Sequence, residues 1–336
     1  MNKPGMHGFS GWLGRSWKKL AFFVFLAILP LLVRSPVLAH MLVISCLFGF
    51  MGMGWNLIAG YTGLFSLGHC VFFGVGAYTS TILYTQFGLS PWIGMLLGAC
   101  MAGLVALILG PVCLRLKGPF FALATAAVAQ VFQIFAIYFK EVTAGSNGIM
   151  IPFRPGLWNL IFREKYTYLW FLIGLSVVGY YVIKHLIKGR LGYYFIAIRE
   201  DEEAAKMLGI NTMRYKTISL TISSIFGAIG GTFYAQYILY ISPQDLFSFD
   251  ISIQLAFVTM LGGAGTLIGP ILGSFFITPL SEFLRATFAK YQSLYLFFYG
   301  IIMILVVILM PGGLHSWFKM VASRIKTKLR QRPSRT

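Results

Sequence analysis

Charge is scarce in this chain. Lysine, arginine, aspartate and glutamate make up 11% of its 336 residues, and only nine residues are acidic. Residues 36–114 contain none of the four, nor do residues 118–139, 166–183, 217–244, 251–281 and 291–318. The first of these runs is far longer than the ~20 residues one helix needs to cross a bilayer, so it must fold back as several spans. Two-residue alternation is missing from the runs, which excludes a membrane barrel. The dipeptide Gly-Lys never occurs, which excludes a Walker-type phosphate loop. The four cysteines (Cys46, Cys70, Cys100, Cys113) lie inside apolar runs without paired spacing or ligand partners. They read as small buried hydrophobes and assign no metal site. No polar stretch is long enough for a second, soluble domain.

What is present is apolar: 58% hydrophobic residues and a mean hydropathy of +0.79. The fold class expected is an all-α polytopic membrane protein. The net charge of +18 does not indicate nucleic acid, because topology places it. Residues 1–19 carry four basic residues and no acids, residues 319–336 carry seven and none, and Lys184 to Lys216 adds seven against four acids. Such segments mark the cytoplasmic side. The expected division is a basic N-terminus (1–19), a membrane domain (20–318) and a basic tail (319–336), with both ends cytoplasmic. Spans are expected over about 20–33, 37–58, 63–84, 91–114, 120–139, 166–183, 217–241, 251–261, 267–284 and 294–310. That makes ten, with the first run open to an alternative reading as a cleaved signal peptide. Hydropathy leaves open whether 251–284 crosses twice or re-enters. The loop 140–165, with Pro152, Pro155 and Gly156, is expected to be irregular and to face outward.

Residues 188–216 form the longest polar interruption with a helical pattern. Four of the nine acids, Glu200 to Glu203, stand together there. From Glu200 the segment reads as a short amphipathic helix with acids in its first turn, where the helix dipole favours them. Ala204, Ala205, Met207 and Leu208 give a small apolar face, and Gly209 with Asn211 gives a stop. So short a helix needs a surface to dock on. We expect it to contact another protein.

Two glycine-rich stretches interrupt the apolar runs. One holds Asn56, Gly60, Gly63, Ser66, Gly68 and His69; the other holds Gly262, Gly263, Gly265 and Gly269. Glycine there serves close helix packing or a helix break that exposes backbone to a polar path. The faint Gly263-x-Gly265 pattern lacks a soluble strand before it, so packing is the better reading than a dinucleotide fingerprint. A third cluster, Gly145, Asn147 and Gly148, falls at the expected outer mouth. His40 and His69 lie at membrane depth, where ionisable residues are functional candidates. No carboxylate is near either in sequence, and a structural hydrogen bond is expected for both.

Taken in order, Gly60-Tyr-Thr-Gly-Leu-Phe-Ser-Leu-Gly-His69, Lys117-Gly-Pro-Phe-Phe-Ala-Leu-Ala-Thr125, Thr143-Ala-Gly-Ser-Asn-Gly148, Ala197-Ile-Arg-Glu200 and Leu261-Gly-Gly-Ala-Gly-Thr-Leu-Ile-Gly-Pro270 resemble the LivM-type membrane subunits of bacterial branched-chain amino-acid ABC importers. The likeness covers about residues 40–285. It implies a ten-span plan like that of vitamin B12 and siderophore importers, in the bacterial inner membrane. It also implies a sister permease, two cytoplasmic ATPases that bind ATP, a periplasmic or extracellular substrate-binding protein, and no cofactor on this chain. The coupling contact would then involve Arg199, Glu200, Glu203, Ala204, Ala205 and Gly209. The glycine stretches would line the path for leucine, isoleucine or valine. Permeases of urea and amide importers share much of the pattern and are the alternative. A secondary transporter would usually hide ionisable groups within its spans, and here Asp250 and Glu282 sit only at span edges.

Overall fold

The computed structural model describes residues 35–288, 292–309 and 313. The long apolar runs become helices: α1 (Pro36–Asn56), α2 (His69–Phe87), α3 (Pro91–Cys113), α4 (Pro119–Tyr138) and α5 (Lys165–Lys188). The polar loop supplies α6 (Arg190–Glu200) and α7 (Glu202–Met207). Then follow α8 (Thr212–Ile238), α9 (Phe249–Gly263), α10 (Gly269–Thr287) and α11 (Gln292–Leu309). Starts and stops follow local chemistry. Proline opens α1, α3 and α4, where its missing N–H costs nothing. Ser90 caps α3 by accepting from the Trp92 N–H, and Gly88 closes α2 in the left-handed region at φ 66°.

Among the described residues, six helical stretches are long and apolar enough to cross a membrane: Pro36–Tyr61, α3, α4, α5, α8 and Pro243–Gly263. The expected first span, 20–33, lies outside the described residues. Helices α2 and α10 are long but carry Ser80, Thr81, Ser274 and Thr278 on buried faces. A helix shielded by other helices needs less apolar surface than one facing lipid. Boundaries shift in two informative places. The third span starts only at His69, because residues 62–68 are not helical. The seventh begins at Thr212 rather than Thr217, because Asn211 caps it by accepting from the Arg214 N–H.

Helix α8 is central. It runs antiparallel to α1, with Gly230 opposite Met51 and Gly54 opposite Phe226. It runs parallel to α2, where the Thr232 hydroxyl donates to the Gly76 carbonyl and His69 meets Ser223. A β-carbon at Gly231 would collide with the Phe73 carbonyl, so α8 and α2 approach backbone to backbone. Such small-residue contacts replace the hydrophobic effect as the packing force inside a bilayer. Residues 251–284 fold as a hairpin of α9 and α10, in which Gly273 lies against Val258 and Gly262 against Gly269. The loop expected to be irregular contributes β1 (Ile149–Met150), which pairs antiparallel with β2 (Tyr240–Ile241) and so ties the loop to the end of α8.

Candidate coupling junction

The polar loop builds two helices where one was expected. Glu200 ends α6, Asp201 is extended at φ −157°, and α7 starts at Glu202. The Asp201 carboxylate accepts from the N–H groups of Glu203 (2.9 Å) and Ala204 (3.0 Å). This cap corrects the expected start at Glu200: an aspartate satisfies two of the orphan donors of a new helix, and the chain breaks to let it. At the other end Gly209 adopts φ +82°, its N–H bonding the Lys206 carbonyl and that of Ile210 the Ala205 carbonyl. That pair of bonds closes a helix in the left-handed manner expected of glycine.

Helix α7 presents three of the four residues of the apolar face foreseen: Ala204 is exposed and Met207 and Leu208 are 89% and 81% exposed, while Ala205 is buried. What holds α7 is charge. Glu202 pairs with Lys216 on α8, whose side chain is 3% exposed, and accepts from the Thr212 hydroxyl at 3.2 Å. Burial pushes the Glu202 carboxyl up, but the hydrogen bond and charge of Lys216 prevail and hold it below the usual carboxylate range. Glu203 pairs with Lys117 in the α3–α4 turn at 2.6 Å and with Lys206 at 3.3 Å. Both bonds keep the Glu203 carboxyl low, and the bond to Glu203 raises the Lys117 ammonium. Lys117, Glu202, Glu203 and Lys216 surround a cleft of about 200 Å³ that Thr62, Gly63, Asp201 and Arg199 also line. Lys117, Asp201, Glu202 and Lys216 were missed by sequence reasoning. Asp201 had a usable signal, an aspartate ahead of two acids and two alanines. Lys216 had none beyond being a lone cation at a span's edge.

The two glycine stretches meet at this same end of the bundle. Helix α1 runs on into a π-helical turn, Leu57–Tyr61. Asn56 reaches across to the second stretch, accepting from the Gly265 N–H at 2.8 Å and donating to the Thr266 carbonyl at 2.8 Å. Arg199 of α6 donates from Nη1 to the Gly60 carbonyl at 2.9 Å and pairs with Glu200 at 2.6 Å. Its stem passes against Gly63, and its guanidinium lies beside Gly265, which sits at φ +75°. Gly262, Gly263 and Gly269 form the tight turn of the α9–α10 hairpin nearby.

The polar groups of the first stretch are internally engaged. His69 bonds Ser66 through Nδ1 (3.1 Å) and Ser223 through Nε2 (2.7 Å). The Ser223 hydroxyl donates to the Gly54 carbonyl, so Nε2 is the donor to Ser223 and Nδ1 accepts from Ser66. Gly68 packs against the Thr125 carbonyl. His40 bonds the Tyr237 hydroxyl at 2.7 Å. Gly145, Asn147 and Gly148 stand apart from all of these. They lie at the opposite end, where the Tyr240 hydroxyl donates to the Asn147 carbonyl and Gly148 packs on Ile241. Among the described residues no group of three or more His, Cys, Asp or Glu could hold a metal ion.

A family model described as "Branched-chain amino acid transport system / permease component" matches residues 37–307. The chain is 30% identical over 330 residues to the high-affinity branched-chain amino acid transport system permease protein LivM of Escherichia coli (strain K12), covering 90% of this chain and 76% of the relative. To the LivM protein of Salmonella typhimurium it is 31% identical over 288 residues, covering 79% of this chain and 66% of the relative. A nucleoside ABC transporter permease, NupC of Lactococcus lactis, is 25% identical over 219 residues, 60% of this chain and 68% of that one. No solved structure matches the chain.

Proposed function

The chain belongs to the family of branched-chain amino acid transport permease components, and from that premise we propose that it is one membrane subunit of an ATP-driven importer carrying leucine, isoleucine or valine into a bacterial cell. It is a transporter component rather than an enzyme and a multi-pass membrane protein. In this reading the permease domain is 20–318, with ten spans arranged as in vitamin B12 and siderophore importers, and it lies in the inner membrane. The basic ends, 1–19 and 319–336, are cytoplasmic. ATP is bound and hydrolysed by two partner ATPases. A sister permease completes the path, and an external binding protein delivers the substrate.

The observation that carries the reading is α7. A helix pinned by ion pairs to two parts of the bundle, yet showing Met207 and Leu208 almost fully to solvent, is suited to receive a partner. The ATPase contact is therefore assigned to 188–216; its coupling residues are Arg199, Glu200, Glu203, Ala204, Ala205 and Gly209, of which Arg199 passes the motion inward rather than touching the ATPase. The assignment of Asn56, Gly60, Gly63, Ser66, Gly68, His69, Gly262, Gly263, Gly265 and Gly269 to the path is kept as one of shaping its inner end. Their satisfied polar groups favour passage over tight binding. Gly145, Asn147 and Gly148 shape its outer mouth. The test is reconstitution of the complete complex in liposomes with its binding protein. ATP-driven uptake of labelled leucine is expected. Uptake of urea or a nucleoside without leucine would overturn the substrate, and leucine uptake driven by an ion gradient without ATP would overturn the mechanism.

A further inference from the structure

We infer that Arg199 is a positioning residue for transport: its guanidinium holds the Gly60 carbonyl and lies against Gly265, and only two residues separate its backbone from the docking helix, so that displacement of α7 reaches both helix breaks, 57–68 and 264–268, through one side chain. The inference rests on the importer reading above.

The geometry is specific. Helix α1 ends in a π-helical turn whose last carbonyls lack the regular i+4 partner. Gly60 supplies one of those carbonyls, and Arg199 Nη1 donates to it at 2.9 Å. A cation at a helix C-terminus also complements the negative end of the dipole. The same Nη1 lies 3.0 Å from where a β-carbon of Gly265 would stand, and Arg199 Cγ lies 2.8 Å from where one of Gly63 would stand. Each break thus has a glycine where the arginine passes. Gly265 is in turn tied to α1 through Asn56 Oδ1. The arginine closes a three-way joint between α1, the α9–α10 hairpin and α6.

The link outward from this joint is short. Only Glu200 and Asp201 separate Arg199 from α7, and Asp201 is the cap of that helix. On the inner side α6 buries Phe195 and Ile198. Its ring contact from Tyr194 to Tyr215 of α8, at 4.4 Å between centroids, steadies it against the bundle. The bland alternative is an arginine held by Glu200 at the surface. An exposed pair of that kind contributes little and would leave the breaks indifferent to its loss.

Two readouts decide between them. In the reconstituted complex, Arg199→Ala is expected to lower leucine moved per ATP hydrolysed roughly tenfold, the size of a modest coupling free energy. Arg199→Lys, which keeps the charge and one donor for Gly60, is expected to recover most of that ratio. Hydrogen exchange in the isolated subunit should rise in Arg199→Ala at both 57–68 and 264–268, while α8 keeps its protection. A wild-type ratio in Arg199→Ala, or faster exchange at neither or only one of the breaks, overturns the inference. If the wild-type complex itself fails to couple leucine to ATP, the importer reading falls. The exchange pattern, which needs no transport, then decides the role of Arg199 alone. It serves equally if Arg199→Ala fails to assemble.

Discussion

Helices α6 and α7 are neighbours in sequence and opposites in orientation. Helix α6 turns inward: Phe195 and Ile198 are buried, and Arg199 ends on a carbonyl of the membrane bundle. Helix α7 turns outward: it is anchored by carboxylates along one side and shows Met207 and Leu208 to solvent. One extended residue, Asp201, separates them. The contrast shows how a 29-residue loop can serve two surfaces at once. Apolar burial and a cation read the bundle, while ion pairs hold a rigid face ready for something else.

If the outward helix depends on its ionic anchor, Lys216→Met should have the largest effect. It removes the buried ammonium from the Glu202 carboxylate and leaves it only the more exposed Lys206 at 3.4 Å and the Thr212 hydroxyl, which costs about 2 kcal/mol of local stability. Hydrogen exchange over 202–209 should then rise while 190–198 stays protected; equal loosening of both helices would erase the contrast. Gly209→Val comes next. Nothing lies near its Cβ position, so bulk is not at issue, and the cost of about 1–2 kcal/mol comes from forcing valine to φ +82°. Gly209→Asn, which tolerates that region, should lose less. The same local exchange measurement ranks the two.

Acid should act on α7 alone. Glu202 and Glu203 are both held below the usual carboxylate value. Their contribution is therefore complete above the unfolded range near ~4.3 and is lost as pH falls through their lower folded values. Exchange at 202–209 followed from pH 7 downward should rise only in that acid window. The smallest effect is expected for Glu203→Gln, since the Lys117 pair is open to solvent and salt-screened. A slight rise in exchange at 202–209, weaker than for Lys216→Met, is the result that fits.

Much of this was legible beforehand, for physical reasons that can be named. Charge-free runs of membrane length become helices because lipid leaves backbone groups no other partner, so α1, α3, α4 and α5 fall where hydropathy puts them. The left-handed stop at Gly209 was legible because few residues but glycine sit there. The break at Asp201 was not: four consecutive acids read as one first turn, and the cap is chosen by which carboxylate can reach back to two N–H groups. The glycine stretches were legible only as close packing or a break, and their meeting through Asn56 joins residues some 209 positions apart, which no local pattern encodes. Two-residue strands such as β1 and β2 carry no period to detect.

The division between the two helices is tested most directly by asking which of them retains the ATPase. Permease complexes carrying Met207→Asp with Leu208→Asp, and separately Arg199→Ala, would be purified through a tag on this chain and the bound ATPase quantified. The account predicts that the paired α7 substitution loses the ATPase while the protein stays in the membrane, and that Arg199→Ala keeps it. Retention by the α7 variant together with loss from Arg199→Ala would contradict the account.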